Sequence, residues 1–283
     1  MNKITTALQK EPNGTIGITI TIPFEDVKKT WAEVLDEVVK NAEVSGFRKG
    51  KAPKNLVEDK IDKEKIREEV LRHLLPIAYT EAIKTHNIKP IINPKIHVEK
   101  LEDPTEGSGK GWQFTALTCE APIIKLGNYK ESVKKITAKS KIIIPNKQAE
   151  PAKFEDIVKA LLSSATAEIP SILAENETDK LLSQTLEDVK KLGLTLDQYL
   201  SSTGKNPDIL RAEYKQKAES DIKLEFALQQ IAEEEGIVVE EKEVVEAINA
   251  AKSPDEKKNL ESNKYLLTSI LRQQKTLDFL KNL

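Results

Sequence analysis

The sequence predicts an α+β fold, with an N-terminal antiparallel sheet and long helices, then an extended linker and an all-α C-terminal domain. Three observations carry this prediction. Isoleucine alternates strictly with small or polar residues from Ile16 to Ile22, the period-two signature of a half-buried strand. Val27, Trp31, Val34 and Val38 then recur at helical spacing. Beyond Phe154 the chain is a succession of helical stretches punctuated by glycines and capping motifs.

Taken in order, Ile4–Gln9 is a first strand, Glu11-Pro12-Asn13-Gly14 a turn and Ile16–Ile22 a second strand. Pro23 ends that strand, having no N–H to give to a ladder. A helix follows over Phe24–Val39, then a loop, then a helical stretch over Val57–Ile88 with Leu71, Leu74, Leu75, Ala78 and Ala82 on its apolar face. Pro53 suits the first turn of the helix after the loop. Pro76 should kink or split the second helix. Two more strands, Ile91–Leu101 and Gly111–Glu120, flank the loop Glu102–Lys110.

Residues 126–152 read as a linker or arm, with Ile136–Ile144 extended and Pro145 and Pro151 as breaks. Helices then occupy Phe154–Ser164 and the stretch from Pro170 to Gly193. Thr195-Leu196-Asp197-Gln198 has the form of a capping box, Gly204 of a C-terminal stop and Asn206-Pro207 of a cap followed by a first-turn proline. One long helix covers Ile209–Glu235 and stops at Gly236. Ser253-Pro254-Asp255-Glu256 opens a short one, and Leu266, Ile270, Leu277 and Leu280 stripe the last. Leu224, Leu228, Ile231, Leu266, Ile270 and Leu277 are the expected core of these helices.

The composition narrows the function classes. With 283 residues the chain can hold two domains. Charged residues make up 32%, yet the net charge is only -2, so any nucleic-acid contact must be a local patch. Aromatics, at 5%, are too few for stacking platforms along single-stranded RNA. One cysteine, Cys119, permits no intramolecular disulfide and fits a reducing compartment. Met1–Thr6 lacks the apolar core of a signal peptide, and no stretch approaches the ~20 apolar residues of a membrane span. A cytoplasmic protein with no membrane partner is expected.

His73, His86 and His97 are too scattered for a metal triad. Cys119 sits in a strand and reads as a buried, inert thiol. No phosphate-binding loop, dinucleotide glycine fingerprint or nucleophile elbow is present, so no cofactor and no metal are expected.

The loop after the first helix is the most informative stretch. Between Val44 and Asn55 it carries Phe47, Arg48, Lys49, Lys51 and Lys54, two glycines and Pro53, with no acid. A basic, aromatic-bearing loop between two helices suits docking on an anionic surface. Gly46-Phe47-Arg48-x-Gly50-x-x-Pro53 resembles the ribosome-docking signature of the bacterial trigger factor family, and Ile169–Leu283 resembles that family's helical C-terminal domain.

This resemblance implies a ribosome-binding domain over residues 1–125, the linker 126–152 and a helical chaperone domain over 153–283. It implies Gly46, Phe47, Arg48, Lys49, Gly50, Lys51 and Pro53 as ribosome-binding residues. The implied partners are the large ribosomal subunit near the exit tunnel (ribosomal protein and rRNA) and nascent or unfolded polypeptides, with room for a weak homodimer. The implied action is ATP-independent holding.

Family members usually carry an FKBP-type prolyl isomerase domain between these parts. Residues 126–152 are shorter than the ~50 residues of a small domain and include one aromatic, Tyr129, so an enzyme is not expected. The alternatives are an isomerase whose site escapes sequence reading, a periplasmic-type helical holdase and an assembly factor for ribosomal proteins.

Overall fold

The computed structural model describes residues 4–41, 62–102, 104, 109, 111–140 and 153–283. The chain divides into two compact units, Met1–Ala121 and Pro122–Leu283.

In the first unit, strands β1 (Thr5–Lys10) and β2 (Ile16–Ile22) form the expected hairpin. Its turn is closed by the Gly14 N–H donating to the Glu11 carbonyl at 3.1 Å, and by the Thr15 N–H donating to the Asn13 side chain at 3.0 Å. Gly14 has φ 77°, a left-handed conformation that glycine adopts without a Cβ clash. Strands β3 (Lys95–Lys100) and β4 (Trp112–Thr118) complete an antiparallel sheet of order β1-β2-β4-β3.

The register sets Ile18 opposite Ala116, Ile20 opposite Phe114 and Ile22 opposite Trp112. All six are fully buried on one face. Helices α1 (Phe24–Asn41) and α2 (Lys63–Thr85) cover that face with Val27, Trp31 and Val34, and with Ile66, Val70, Leu74, Ala78 and Ala82. Burial of each large apolar side chain here contributes about 1.5–3 kcal/mol. Leu71 and Leu75 sit at the margin of this core, half-buried.

Two expectations change here. Pro76 does not split its helix, which runs uninterrupted from Lys63 to Thr85. Pro76 faces solvent, as does Arg72 one turn earlier, so water can satisfy the carbonyl that loses its helical donor. The strand expected to begin at Ile91 begins at Lys95, after Asn93-Pro94.

The second unit opens with β5 (Ile124–Lys125), which pairs antiparallel with β6 (Thr166–Ala167). Helices α3 (Tyr129–Ser140), α4 (Phe154–Ser164), α5 (Ser171–Lys191), α6 (Leu196–Thr203) and α7 (Pro207–Glu234) follow, then α8 (Glu241–Asn249), α9 (Pro254–Ser262) and α10 (Lys264–Asn282). The main core joins Leu126, Tyr129 and Val133 to Ile157, Leu161, Leu228, Ile231 and Leu280.

The reading of residues 126–152 as linker is corrected in its first half. Tyr129–Ser140 is a helix, not an arm with extended Ile136–Ile144. Leu126, Tyr129 and Val133 stand three and four residues apart and face a core made by distant helices. Residues 141–152 lie outside the described residues.

The local punctuation of the helical half follows the sequence closely. Thr195 and Gln198 form both bonds of a capping box, and Gly204 ends α6 at φ 66°. Asn206 accepts from the Ile209 N–H at 2.8 Å ahead of Pro207. Among the described residues no helix is long and apolar enough to cross a membrane.

Candidate functional site

Each sequence-predicted site residue, Gly46, Phe47, Arg48, Lys49, Gly50, Lys51 and Pro53, lies outside the described residues. The described frame on either side is clear. Helix α1 ends at Asn41, and α2 starts behind Asp62, whose carboxylate accepts from the Glu64 N–H. Both helices are anchored in the core of the first unit.

The three histidines occupy separate places. His73 lies 3.5 Å from Glu69 on one helical face, His86 is 2.9 Å from the Thr6 hydroxyl, and His97 is exposed on β3. Among the described residues no three His, Cys, Asp or Glu side chains gather as metal ligands. Cys119 is fully buried, and burial pushes its thiol up to about 11, which keeps it neutral and a poor nucleophile near pH 7.

A groove in the second unit brings together residues that sequence reading assigned differently. It has a volume of about 370 Å³ and runs between α7 and α10. Leu228 and Ala232 of α7 form its apolar floor, with Glu225 and Gln229 one turn apart on its edge. Tyr265, Leu266, Ser269, Arg272 and Gln273 line the α10 side.

Tyr265 is 92% exposed and Leu266 59%, and Ile270 on the same side of the helix is 51% exposed. Leu266 and Ile270 were expected in the core. They are instead open to solvent, because α10 spends its buried positions on Leu267, Thr276 and Leu280. A helix with apolar residues on adjacent faces gives no periodic signal of which face is covered. Tyr265 was not singled out by sequence reading; an isolated tyrosine at a helix start carries no local signal.

The far end of the α5–α7 arm repeats this chemistry. Leu192, Leu194 and Leu196 are exposed around the turn at Gly193, whose φ is 74°. The arm below them is packed by Val189, Leu200 and Leu210, and pinned by a 2.7 Å hydrogen bond between the Thr185 and Tyr214 hydroxyls. The root of the unit is held by polar contacts. Tyr129 donates to Glu235 at 3.0 Å, and Lys130 pairs with the same carboxylate at 2.6 Å. These bonds, Lys130 first and Tyr129 second, hold the Glu235 carboxyl below the usual range. Burial and the bond to Glu235 push the Tyr129 phenol up.

The groove has an apolar floor, with hydroxyl and amide groups, the Glu225 carboxylate and the Arg272 guanidinium along its walls. Its apolar floor can take up apolar side chains from an exposed chain segment.

Comparison with known proteins agrees with this layout. Residues 4–150 match the family model described as bacterial trigger factor protein. Residues 127–282 match the model of the trigger factor C-terminus. The two matches overlap, so no FKBP-type domain stands between them.

Trigger factors of Staphylococcus aureus strains JH9, Newman and JH1 are each 37% identical over 126 residues. That match covers 44% of this chain and 28% of the length of these relatives. A solved structure, described as promiscuous substrate recognition in folding and assembly activities of the trigger factor chaperone, superposes with a TM-score of 0.65. It is 14% identical in sequence, with 98% of this chain and 99% of the other covered, a likeness of fold. With family models matching both halves of the sequence, the chain belongs to the bacterial trigger factor family.

Proposed function

We propose that this protein is an ATP-independent, ribosome-associated chaperone of the cytoplasm that holds nascent or unfolded polypeptides near the exit tunnel. The observation that carries the reading is the solvent-open apolar strip Tyr265, Leu266 and Ile270 beside the α7–α10 groove. Large apolar side chains grouped on one rigid helix face favour a partner that supplies apolar surface. Contacts of this kind are weak singly and depend on proximity, which tethering beside the tunnel raises as an effective concentration.

In this reading the loop residues anchor the chain to the large subunit. Arg48 can pair bidentately with an rRNA phosphate or a ribosomal-protein carboxylate, which lysine cannot do. Lys49 and Lys51 add attraction that salt weakens, and Phe47 packs on the partner. Gly46, Gly50 and Pro53 belong to the same docking signature. The action is holding, without prolyl isomerisation.

The test is co-sedimentation with ribosomes. The triple variant Phe47→Ala, Arg48→Ala, Lys49→Ala should lose binding while its circular dichroism spectrum stays unchanged, and binding by the intact chain should fall as salt rises. Equal sedimentation of variant and intact chain at two salt concentrations would refute docking through this loop. Client holding is tested separately with Leu266→Ser, Ile270→Ser. Surface changes of this kind cost about 0.5 kcal/mol or less in stability, yet suppression of client aggregation should weaken several-fold.

A further inference from the structure

The second unit has a small apolar cluster besides its main core. Val244 and Ile248 of α8 close over Leu267 of α10, with Leu260 and Leu271 half-buried at the margin. Only these three buried side chains form the centre of the cluster that holds the α8–α9 hairpin. The hairpin begins beyond Gly236, at φ 64°, and returns to α10 through Asn263, whose φ of -117° and ψ of 35° break the helical path.

Polar tethers from one side of α10 hold its root. Lys275 donates to both Glu243 carboxylate oxygens at 2.9 and 2.8 Å and to the Val238 carbonyl at 2.8 Å. Arg272 donates to the Ile237 carbonyl at 2.9 Å.

The covered and uncovered residues of α10 are neighbours. Leu267 and Leu271 follow Leu266 and Ile270 by one position each, which turns them by about 100° around the helix. Leu267 lies under the hairpin with Leu271 half-buried at its margin, and the second pair is open to solvent. We propose that the α8–α9 hairpin is a flap latched by Lys275, and that its release joins Leu267 and Leu271 to Leu266 and Ile270 as one wide apolar strip. Closed, the flap limits the strip to the width of the groove edge. Open, it doubles the number of leucine and isoleucine side chains that α10 presents. The latch is made of charge-assisted bonds to half-exposed groups, strong enough to set the closed state and weak enough to part. This motion belongs to the free chain, so its failure would leave the client-holding reading standing.

Backbone hydrogen exchange of the intact chain, followed by mass spectrometry, tests the flap. Peptides of α8 and α9 should exchange well ahead of those of α7 around Ile231. Glu243→Gln keeps an acceptor for the capping bond to the Glu240 N–H but loses the charge that Lys275 pairs with. Lys275→Met keeps the apolar stem and loses every donor. Both variants should speed α8 and α9 exchange by on the order of five- to tenfold, leave α7 unchanged and raise the fluorescence of an apolar dye. The proposal is overturned if α8 and α9 are protected like α7. Unchanged exchange or unchanged dye binding in both variants overturns it too, as does acceleration of α7 in parallel.

Discussion

At the scale of single residues, two glycines, one in β2 and one just ahead of β4, separate backbone need from mere tolerance. A Cβ on Gly111 would lie 1.9 Å from the Ile22 carbonyl oxygen, where no neighbouring side chain can move aside. A Cβ on Gly17 would meet Leu117 at 3.6 Å and the Gln9 carbonyl at 3.7 Å, ordinary contacts. Gly111→Ala should therefore destabilise by about 1–3 kcal/mol, whereas Gly17→Ala should be neutral or stabilise by up to about 1 kcal/mol. Urea denaturation of the two variants decides it, and equal midpoints would contradict the geometry. Glu235 sets an acid limit in the same way. Its folded carboxyl is held low by Lys130 and Tyr129, so its contribution is complete above the unfolded value of about 4.3. That contribution is lost as pH falls below this value through the folded one. Glu235→Gln should remove this share of the acid sensitivity; a thermal-melt series from pH 6 to 3 whose slope is unchanged would refute it.

At the scale of elements, the segment before α4 is the informative case. Ile124, Leu126, Tyr129 and Val133 all lie in the main core of the second unit. Each contributes roughly 1.5–3 kcal/mol of burial, a large part of the ~5–15 kcal/mol that a domain has. A fragment Pro122–Leu283 should fold with a sharp thermal transition, and Lys153–Leu283 should melt broadly or not fold. Matching calorimetric transitions would show that α3 is dispensable. The sequence hid this because Ile142–Ile144 with Pro145 reads as extended, and no local break separates Ile136 from that run. Boundaries set by local chemistry were legible. Thr195 with Gln198, Gly204, Asn206 with Pro207 and Gly236 act within one turn of themselves, so no distant partner can change their meaning. The cap bond from the Glu240 N–H to the Glu243 carboxylate at 2.8 Å has no such signature, because glutamate is not among the preferred cap residues.

For the whole molecule, holding without catalysis makes a two-part expectation. The chain should suppress aggregation of an unfolded client in stoichiometric amounts, and it should leave a proline-limited refolding phase of about 10–100 s unchanged. Substoichiometric acceleration of that phase, co-purifying with the chain, would place an isomerase site in it.

The sequence by itself determined the α+β layout, the strand alternation of Ile16–Ile22 and the helix caps. All of these are written in periods and motifs a few residues long. Only the tertiary structure decided that Leu126–Val133 belongs to the second core, and that Leu266 and Ile270 stand open while Leu267 is covered. Those outcomes depend on which distant element arrives to bury a face. Leu280 and Ile231 reach the segment at Val133 from far along the chain, and α8 covers one side of α10 and not the next. Apolar periodicity says that a face can be buried; it carries no address for the partner that buries it.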